Sequence, residues 1–342
     1  MNALRDRIVA VFGATGHTGR FVVDELVRRG MVPVAVARDS HKLAAAGFQE
    51  RDILTRCATV DDPASLDEAL RGVAAVINCA GPFLETADRL AEAAVRSGVH
   101  YLDVSAEQPS AREILAKFDD PAHKAGVLVI PAMGFYGGLA DLLASAAMSD
   151  WDAVDEIRVG IALDSWHPTQ GTRITGARNT APRMIIRDGQ LAPLAQPAAE
   201  GSWDFAEPFG RQDTIEVPFS EVVLMRQHLN IMHLHTYLNS SALRDIRDPK
   251  TPPPVATDDS GRSSQVFQVE VIARQDGVGR KVVAQGRDIY AFTAPLVCEA
   301  VARILQGEVL KRSGACAPGA LFDARSFLDA LAPELTYSIA PV

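Results

Sequence analysis

A strand, a glycine-rich turn and a helix follow one another without interruption over residues 8–30. The apolar run Ile8–Phe12 enters the sequence GATGHTG, and an amphipathic helix pattern leaves it. The first glycine of such a turn allows a tight bend, the second lets the backbone approach a pyrophosphate, and the third lets the helix pack closely. The helix N-terminus offers free N–H groups to phosphates. The pattern predicts a nucleotide-binding turn, with a purely structural strand-turn-helix as the alternative. Its residues are Gly13, Thr15, Gly16, His17, Thr18 and Gly19.

Strand and helix patterns alternate from residue 7 to about residue 148. This alternation is typical of a parallel sheet covered by helices on both faces. The predicted strands are Ile8–Phe12, Pro33–Ala37, Leu54–Val60, Ala75–Cys79, Tyr101–Val104 and Val127–Ile130. Helical patterns cover residues 17–29, 63–71, 84–97, 110–118 and 137–148. The sequence therefore predicts the α/β class, with a Rossmann-type doubly wound sheet in residues 1–148.

The pattern changes in residues 149–292. Asp155–Asp164 and Gln265–Arg274 alternate in part, and QDGVGR has the composition of a hairpin turn into Lys281–Tyr290. We therefore expect a second α+β domain on a mostly antiparallel sheet. Residues 192–211 and 245–262 are rich in loop-forming residues, and each is either an active-site flap or a surface connection.

Residues 293–342 have helical patterns. Thr293 followed by Pro295 has the sequence of a helix N-cap and first turn, which predicts a helix to about Gln306. A last helix is expected over about Arg325–Leu331.

Length and charge limit the function classes. The 342 residues fit about two domains, and the net charge of −9 argues against a nucleic-acid or anionic-membrane surface. No apolar run approaches the ~18 residues of a membrane span. The first residues, MNALRDR, lead directly into the first strand and leave no room for a secretory signal. The four cysteines form no C-x-x-C pair. We expect a cytoplasmic protein in a reducing compartment.

Five motifs together resemble the saccharopine dehydrogenase-like NADP-dependent oxidoreductases, including the trans-acting enoyl reductases. They are GATGHTG at 13–19, INCAGPF at 77–83, HYLDVSAE at 100–107, GFYGGLAD at 134–141 and GRDIYAFTAP at 286–295. The resemblance implies an N-terminal NADP-binding domain and an α+β domain for substrate and homodimer contacts. It also implies that the C-terminal helices pack back on the first domain, and that the reaction involves a C=C or C=N bond.

One motif departs from the family. Relatives often have G-F-D-S-x-P-S-D where this chain has GFYGGLAD at 134–141. Substrate roles attached to that loop are therefore not carried over.

The end of the second strand selects between NAD and NADP. NAD enzymes place an acidic residue there for the ribose hydroxyls, and NADP enzymes place an arginine near the 2′-phosphate. Arg38 occupies this position and Ser40 adds a hydroxyl, which together favour NADP. Asp39 is the alternative ribose ligand, and Arg38 with Lys42 is otherwise a solvated surface. Asp61 fits an adenine contact or a helix cap equally well.

Three strand ends follow the nucleotide turn, where ligands of doubly wound sheets bind. At the first, the nicotinamide is expected along Ala80, Gly81 and Pro82. The second supplies Asp103 and Ser105 as candidate polar orienters, with Glu107 beside them. At the third, Tyr136 is the candidate proton donor, since a reduced C=C or C=N bond must gain a proton. The alternatives are a helix cap for Asp103 and Ser105, and a packed aromatic residue for Tyr136.

The second domain carries a cationic run, Gly171–Arg173 with Arg178 and Arg183. It either grips a carboxylate-bearing substrate or is a solvated basic face. His233 and His235 share a face of a predicted strand, but no acidic or cysteine ligand lies at suitable spacing, so no metal site is predicted.

The sequence thus predicts an NADP-dependent oxidoreductase of a small molecule, with hydride transfer to a C=C or C=N bond. A short-chain dehydrogenase is disfavoured because no tyrosine is followed by a lysine four residues on. A non-catalytic NADP sensor is the alternative, since it would need the same turn and the same Arg38. The large second domain favours an enzyme.

Overall fold

The computed structural model describes residues 7–342, which form two β-sheets and the helices that cover them. The strands are β1 Ile8–Phe12, β2 Val32–Ala37, β3 Leu54–Cys57, β4 Ala75–Asn78, β5 His100–Asp103, β6 Leu128–Ile130, β7 Val154–Leu163, β8 Met184–Arg187, β9 Gln190–Pro193, β10 Glu200–Asp204, β11 Arg211–Glu216, β12 Ile231–Asn239, β13 Val266–Gln275, β14 Val278–Arg287, β15 Gly314–Ala315 and β16 Leu335–Pro341.

The α-helices of the described residues alternate with these strands. They are α1 His17–Arg28, α2 Ser40–Ala44, α3 Pro63–Ala69, α4 Phe83–Arg96, α5 Gln108–Ala125, α6 Ala140–Ala147, α7 Gln170–Arg178, α8 Glu221–His228, α9 Ser240–Arg247, α10 Ile289–Leu305, α11 Pro318–Leu321 and α12 Ala324–Asp329. Within residues 7–342, no helix combines the length and the apolar character that a membrane span requires.

The first sheet has seven parallel strands in the order β15-β6-β5-β4-β1-β2-β3. Strand β1 is buried on both faces because helices cover both. Val9 and Val11 face one hydrophobic core, while Ala10 and Phe12 face the other. The predicted doubly wound parallel sheet is confirmed. Strands β1 to β3 extend the sheet in one direction and β4 to β6 extend it in the other, so the strand order reverses between β1 and β4. A ligand crevice forms at the carboxyl ends of these two strands.

The second sheet has nine strands, seven of them in the order β10-β11-β12-β7-β13-β14-β16 and the pair β8–β9 joined to β12. Only β7 and β12 pair in parallel within it, and the other pairs are antiparallel, as predicted. Val159 and Phe267 of this sheet belong to the same hydrophobic core as Val9 of β1. A continuous apolar core therefore joins the two sheets.

The C-terminal segment contacts both sheets. Helix α10 packs on α1, where Arg29 forms ion pairs with Glu25 and Glu299. Strand β15 extends the first sheet beside β6, whereas β16 pairs with β14 of the second. The strand β16 had no counterpart in the sequence prediction, which placed residues 293–342 as helices on the first domain.

The predicted start of the long C-terminal helix at Thr293 is wrong. Helix α10 begins at Ile289, because the Asp288 carboxylate accepts hydrogen bonds from the N–H groups of Tyr290 and Ala291 at 3.0 and 3.1 Å. The Thr293 hydroxyl instead donates to the Ile289 carbonyl inside the helix at 2.8 Å.

Two other predicted boundaries differ from the structure. Residues 192–211 were predicted as a loop, but they contain β10 and the end of β9. The helix predicted to end at residue 118 continues to Ala125 with Pro121 inside it. Between β6 and α6, residues 135–139 form an irregular turn in which the backbone of Tyr136 and Gly137 is not helical. This turn brings Tyr136 to the crevice between the two sheets.

Candidate functional site

The glycine turn has the tight geometry that its sequence predicts. Gly13 has φ +85°, a conformation that favours glycine, and its N–H donates to the Val36 carbonyl at 2.8 Å. A β-carbon on Gly19 would stand 2.2 Å from the Gly13 carbonyl oxygen, and one on Gly13 would stand 2.9 Å from the Ala80 nitrogen. Helix α1 therefore lies directly against the turn, and the turn lies directly against the end of β4.

The first turn of α1 leaves its backbone donors free. Its N-cap, Gly16, offers no side-chain acceptor. The N–H groups of His17, Thr18 and Gly19 have no backbone or side-chain acceptor within residues 7–342. Three unpaired N–H groups at the N-terminus of a 12-residue helix suit a phosphate group. Thr18 also lines the large cavity described below.

His17 turns its side chain away from solvent. Its ring meets the rings of Phe21 and Tyr290 edge-on, with centroids 5.3 and 5.5 Å apart. Its Nε2 is buried without a hydrogen-bond partner among the described residues. Burial lowers the pKa of His17, and the nearby Asp288 charge opposes this. His17 thus packs as a neutral aromatic ring between α1 and α10.

The second strand ends in an exposed cationic side chain. Arg38 forms no side-chain hydrogen bond or ion pair with the described residues, and its guanidinium is exposed. Asp39 caps α2, accepting from the N–H groups of His41 and Lys42 at 3.0 Å, and these bonds lower the pKa of its carboxyl. Because Asp39 is engaged as a cap, Arg38 is the freer of the two to meet a ribose substituent. Ser40 is exposed beside it.

The two acidic residues after β3, Asp61 and Asp62, make different contacts. Asp61 forms an exposed ion pair with Arg89 at 2.6 Å, while Asp62 caps α3 by accepting from the Ala64 N–H. The structure thus gives the capping role to Asp62 and leaves the carboxylate of Asp61 at the surface.

A cavity of about 590 Å³ lies between the carboxyl ends of β1 and β4 and the second sheet. Most of its wall is apolar or aromatic. The apolar lining residues are Phe83, Val104, Phe135, Trp166, Leu194, Ile215, Val217, Phe219, Leu238, Leu243, Ile246 and Ile289. Thr18, Cys79 and Gly81 line its floor at the nucleotide turn. The cavity therefore joins the nucleotide turn to the second domain.

The loop after β4 forms one wall of the cavity. A β-carbon on Gly81 would stand 2.8 Å from the Thr175 hydroxyl of α7, so only glycine fits there without a shift. Glu107 caps the adjoining helix α4, accepting from the N–H groups of Phe83 at 2.7 Å and Leu84 at 3.3 Å. Ala80 donates its N–H to Asn78, and Pro82 is buried beside it. Of the predicted segment Ala80 to Pro82, Gly81 lines the cavity, and Glu107 fixes the start of the helix that follows the segment.

Two predicted orienters lie behind the cavity wall. Asp103 is fully buried; its carboxylate accepts from the N–H groups of Ser105 at 2.9 Å and Ala132 at 2.8 Å, and from the Tyr101 hydroxyl at 3.0 Å. Burial raises the pKa of Asp103 to about 6, against these bonds. The buried Ser105 hydroxyl accepts from the Glu107 N–H at 3.0 Å. Neither side chain lines the cavity, because both tie β5 to its neighbours.

Tyr136 reaches the cavity as predicted. Its ring lies between Trp166 and Phe219, with centroid distances of 5.1 and 4.3 Å and planes tilted by about 30°. Its hydroxyl is buried and has no hydrogen-bond partner within residues 7–342. Burial raises the pKa of Tyr136 well above its usual range, so the phenol is protonated. The Tyr136 side chain therefore lines the cavity, while its hydroxyl is an unpaired buried group of the kind that is rare in folded proteins.

Tyr290, which the sequence did not single out, holds another part of the wall. Its hydroxyl accepts from the Trp166 indole N–H at 3.1 Å and the Thr169 N–H at 3.3 Å, and bonds to the Thr172 hydroxyl at 3.0 Å. Trp166 and Phe219 were also missed, since they come from unrelated stretches of sequence. The motif around Tyr290 was the only signal available.

The predicted cationic run does not act as one group. Arg178 forms an ion pair with Glu85 across the two domains. Arg173 donates to the Thr251 carbonyl at 2.7 Å, and Arg183 donates to the Pro218 carbonyl at 2.6 Å while its guanidinium lies over the Phe219 ring. Arg173 and Arg183 line the cavity together with Arg247, which the sequence analysis did not name. The cavity therefore combines apolar walls with three guanidinium groups.

Three histidines of the second domain lie close to carboxylates. His228 binds Asp141 at 2.8 Å and His235 binds Glu216 at 2.6 Å, each through a ring nitrogen. His233 lies 3.9 Å from Asp188. Within the described residues, no three potential ligands group as a metal site would require.

Known proteins resemble the chain at two levels. Residues 9–130 match the saccharopine dehydrogenase NADP binding domain. A saccharopine dehydrogenase-like oxidoreductase of Bos taurus is 30% identical over 155 residues, 39% of this chain and 35% of that protein. A lipid droplet localized protein of Caenorhabditis elegans is 32% identical over 146 residues, 39% of this chain and 34% of that protein. The matches thus span about a third of the length of these curated relatives.

The fold likeness extends further than the sequence likeness. Saccharopine dehydrogenase (L-Glu forming) of Saccharomyces cerevisiae superposes with a TM-score of 0.69 at 14% identity, covering 98% of this chain and all of that one. The resemblance drawn from the sequence is confirmed. Residues 9–130 match the saccharopine dehydrogenase NADP-binding domain, and the whole chain has the fold of saccharopine dehydrogenase.

Proposed function

We propose that the protein is an NADP-dependent oxidoreductase that reduces a C=C or C=N bond of a small molecule. The observation that carries this proposal is the continuity of the cavity. Thr18, at the nucleotide turn, and Gly81, after β4, line the same 590 Å³ space as Tyr136 and the second sheet. A cofactor on the turn and a substrate in the cavity would meet there, as ligands do at the carboxyl ends of doubly wound sheets.

The turn fits a dinucleotide on its own geometry. Gly13 and Gly19 leave the backbone uncovered, and the first turn of α1 has unpaired N–H groups for a pyrophosphate. We assign the phosphates to Gly13, Thr15, Gly16, His17, Thr18 and Gly19, with His17 contributing only its backbone. We assign the adenosine side to Arg38, Ser40 and Asp61. NADPH supplies the hydride in this reaction, and its nicotinamide is assigned to Ala80, Gly81 and Pro82.

The cavity wall suggests the substrate class. Aromatic and aliphatic side chains suit an apolar body, while Arg183 and Arg247 at the same cavity suit one anionic group. We therefore propose an unsaturated, mostly apolar acid as substrate. Tyr136 is the proposed proton donor, because its side chain lines the cavity and its hydroxyl has no other partner among the described residues. The homodimer and the cytoplasmic location stay predictions.

Two measurements test this function. Calorimetric titration with NADPH, NADP and NADH should give micromolar binding of NADP(H) and much weaker binding of NADH. NADPH oxidation is then followed with unsaturated apolar acids, cyclic imino acids and the methyl ester of each. Turnover of an acid with a raised KM for its ester supports both the reaction and the arginine contacts. Tight NADPH binding without turnover across the panel would favour the NADP sensor instead.

A further inference from the structure

Gln108, the first residue of α5, reaches from the first domain into the second. Its side-chain oxygen accepts a hydrogen bond from the Met184 N–H at 2.7 Å, and its side-chain nitrogen donates to the Met184 carbonyl at 2.8 Å. The same nitrogen donates to the Phe219 carbonyl at 2.8 Å. The residue is 5% exposed. One buried amide therefore ties two separate segments of the second domain to the first.

The two segments that Gln108 joins belong to the cavity wall. Arg183 directly precedes the first of its contacts and donates to the Pro218 carbonyl at 2.6 Å, which directly precedes the second. The Arg183 guanidinium also lies 5.0 Å from the centre of the Phe219 ring, and this ring lies 4.3 Å from the ring of Tyr136. Gln108 thus holds the backbone on both sides of the contact between Arg183 and Phe219.

The strand that follows Arg183 is weakly attached to its sheet. Strand β8 joins the main part of the second sheet at one paired position, where Ile186 lies beside Leu234. Strand β9 pairs with β8 and with no other strand of the described chain. At the end of β8 where Arg183 stands, the bonds of Gln108 to Met184 therefore replace those of a neighbouring strand.

The residue before Gln108 acts on the other side of the cavity. Glu107 accepts from the N–H groups of the first two residues of α4, so it fixes the start of the helix that follows Gly81. Two consecutive side chains thus hold the segment assigned to the nicotinamide and the wall that carries Arg183. One short piece of backbone sets the separation between these two parts of the cavity.

Arg183 has a positive charge to offer a ligand. Desolvation in the cavity wall lowers the pKa of Arg183, Arg247 lowers it further, and the carboxylate of Glu221 opposes both. An anion beside the two guanidinium groups would relieve their repulsion. Gln108 is uncharged, so it fixes Arg183 without neutralising it.

We propose that Gln108 is a positioning residue for the anionic group of the substrate. It holds Arg183 in a fixed place relative to the nicotinamide segment, so that a substrate bound through its anion presents its double bond there. This inference rests on the proposed function, which places the anion at Arg183 and the hydride source at Gly81. Gln108 does not itself line the cavity, so its loss changes the affinity for the acid and leaves the cofactor in place.

Chemical modification of arginine tests the placement of Arg183 without any substrate. Phenylglyoxal labelling of Arg183, followed by peptide mass spectrometry, should be about threefold faster or more in Gln108→Met, because the guanidinium loses its fixed position. The control Gln227→Met removes a glutamine that joins α8 to the C-terminal segment in the same way, through the Ala315 carbonyl and the Ala317 N–H. It should leave the labelling of Arg183 unchanged. A wild-type rate in Gln108→Met would overturn the proposal.

Binding of a saturated acid gives the second readout. Octanoate has no C=C or C=N bond to reduce, so calorimetry measures its binding to the NADPH-bound protein at equilibrium. Gln108→Met should weaken octanoate about tenfold, while the Kd values of methyl octanoate and of NADPH stay within about twofold. In an Arg183→Ala background, Gln108→Met should cause no further loss of octanoate affinity, because both residues serve one contact. Equal losses for acid and ester, or additive losses, would mean that Gln108 acts only on stability, which overturns the proposal.

The two readouts separate this inference from the function on which it rests. A wild type that binds octanoate no better than its methyl ester counts against the proposed substrate class, and the labelling rate then decides whether Gln108 fixes Arg183. If Gln108→Met does not fold, Gln108→Asn replaces it with the same expected outcomes. Its shorter amide stays polar but cannot reach Met184 and Phe219 together.

Discussion

Gly19 stands so close to Gly13 that a β-carbon on Gly19 would lie 2.2 Å from the Gly13 carbonyl oxygen. The contact is between backbones, so neither partner can move aside as a flexible side chain would. Helix α1 can approach the turn only because position 19 has no side chain, and its free N–H groups depend on that approach.

Gly19→Ala should therefore weaken NADPH binding. The added carbon overpacks this contact, and a cost of about 1–3 kcal/mol borne by the nucleotide-binding geometry corresponds to roughly 5- to 150-fold in Kd. Titration calorimetry measures it. Gly201→Ala is the control, since nothing lies within 4 Å of the added carbon and the site is distant from the turn. Equal NADPH affinity in both variants would show that α1 does not present the phosphate site.

Arg38→Ala should weaken NADPH binding much more than NADH binding. The guanidinium is exposed and has no partner in the described chain, so its removal should leave the melting temperature unchanged. A bidentate charge-assisted contact to the 2′-phosphate is worth about 1.5–3 kcal/mol, or roughly 10- to 100-fold in Kd.

Arg71→Ala serves as its control, because this exposed arginine pairs with Glu68 and precedes β4, at the amino end of a strand rather than at the carboxyl end where Arg38 lies. It should change neither affinity. Parallel losses for both nucleotides in Arg38→Ala would remove Arg38 from the discrimination of NADP against NAD.

Tyr290 and Tyr136 line the same cavity, but loss of the hydroxyl should change the unfolding free energy differently in the two cases. Tyr290→Phe leaves the Trp166 N–H and the Thr169 N–H without their acceptor, which should cost about 1–3 kcal/mol. Tyr136→Phe removes an unpaired buried hydroxyl, so it should leave the unfolding free energy unchanged or raise it by up to about 1 kcal/mol.

Urea unfolding of both variants in the absence of nucleotide decides this, because bound ligand would add its own stabilisation. Tyr136→Phe should at the same time lower kcat more than threefold. A destabilised Tyr136→Phe with unchanged kcat would make Tyr136 a structural residue.

The sequence predicts the parts of the site that depend on local chain geometry. The spacing of Gly13, Gly16 and Gly19 determines a turn within seven residues, so the turn, its helix and the strand before it follow from the pattern alone. The doubly wound sheet follows similarly, since strands such as Ile8–Phe12 are apolar throughout.

Contacts between segments that are distant in the chain could not be predicted from the sequence. Asp103 has the residue type of a catalytic group, but its partner Ala132 lies 29 residues away, and only folding shows that the carboxylate is occupied. Thr293 and Pro295 have the sequence of a helix start, although they lie inside the helix. The actual cap, Asp288, was missed because it was assigned to the preceding strand. Trp166 and Phe219 enclose Tyr136 from separate elements of the second domain.

Asp103 provides a pH-dependent test of its structural role. Burial raises its pKa from 3.8 to about 6, so the protonated form is favoured in the folded state relative to the unfolded chain. Its contribution to stability is therefore fully present below about pH 3.8 and is lost as the pH rises through about 6. The difference corresponds to on the order of 3 kcal/mol.

Asp103→Asn cannot ionise, so its unfolding free energy should fall less than that of the wild type between about pH 4 and pH 6. The amide oxygen can still accept from the Ser105 and Ala132 N–H groups. Denaturant unfolding at a series of pH values measures the difference, and other titrating groups cancel in the comparison. The same variant should keep kcat within threefold, because the side chain does not line the cavity. A large loss of kcat in a variant of normal stability would instead restore the catalytic role that the sequence predicted for Asp103.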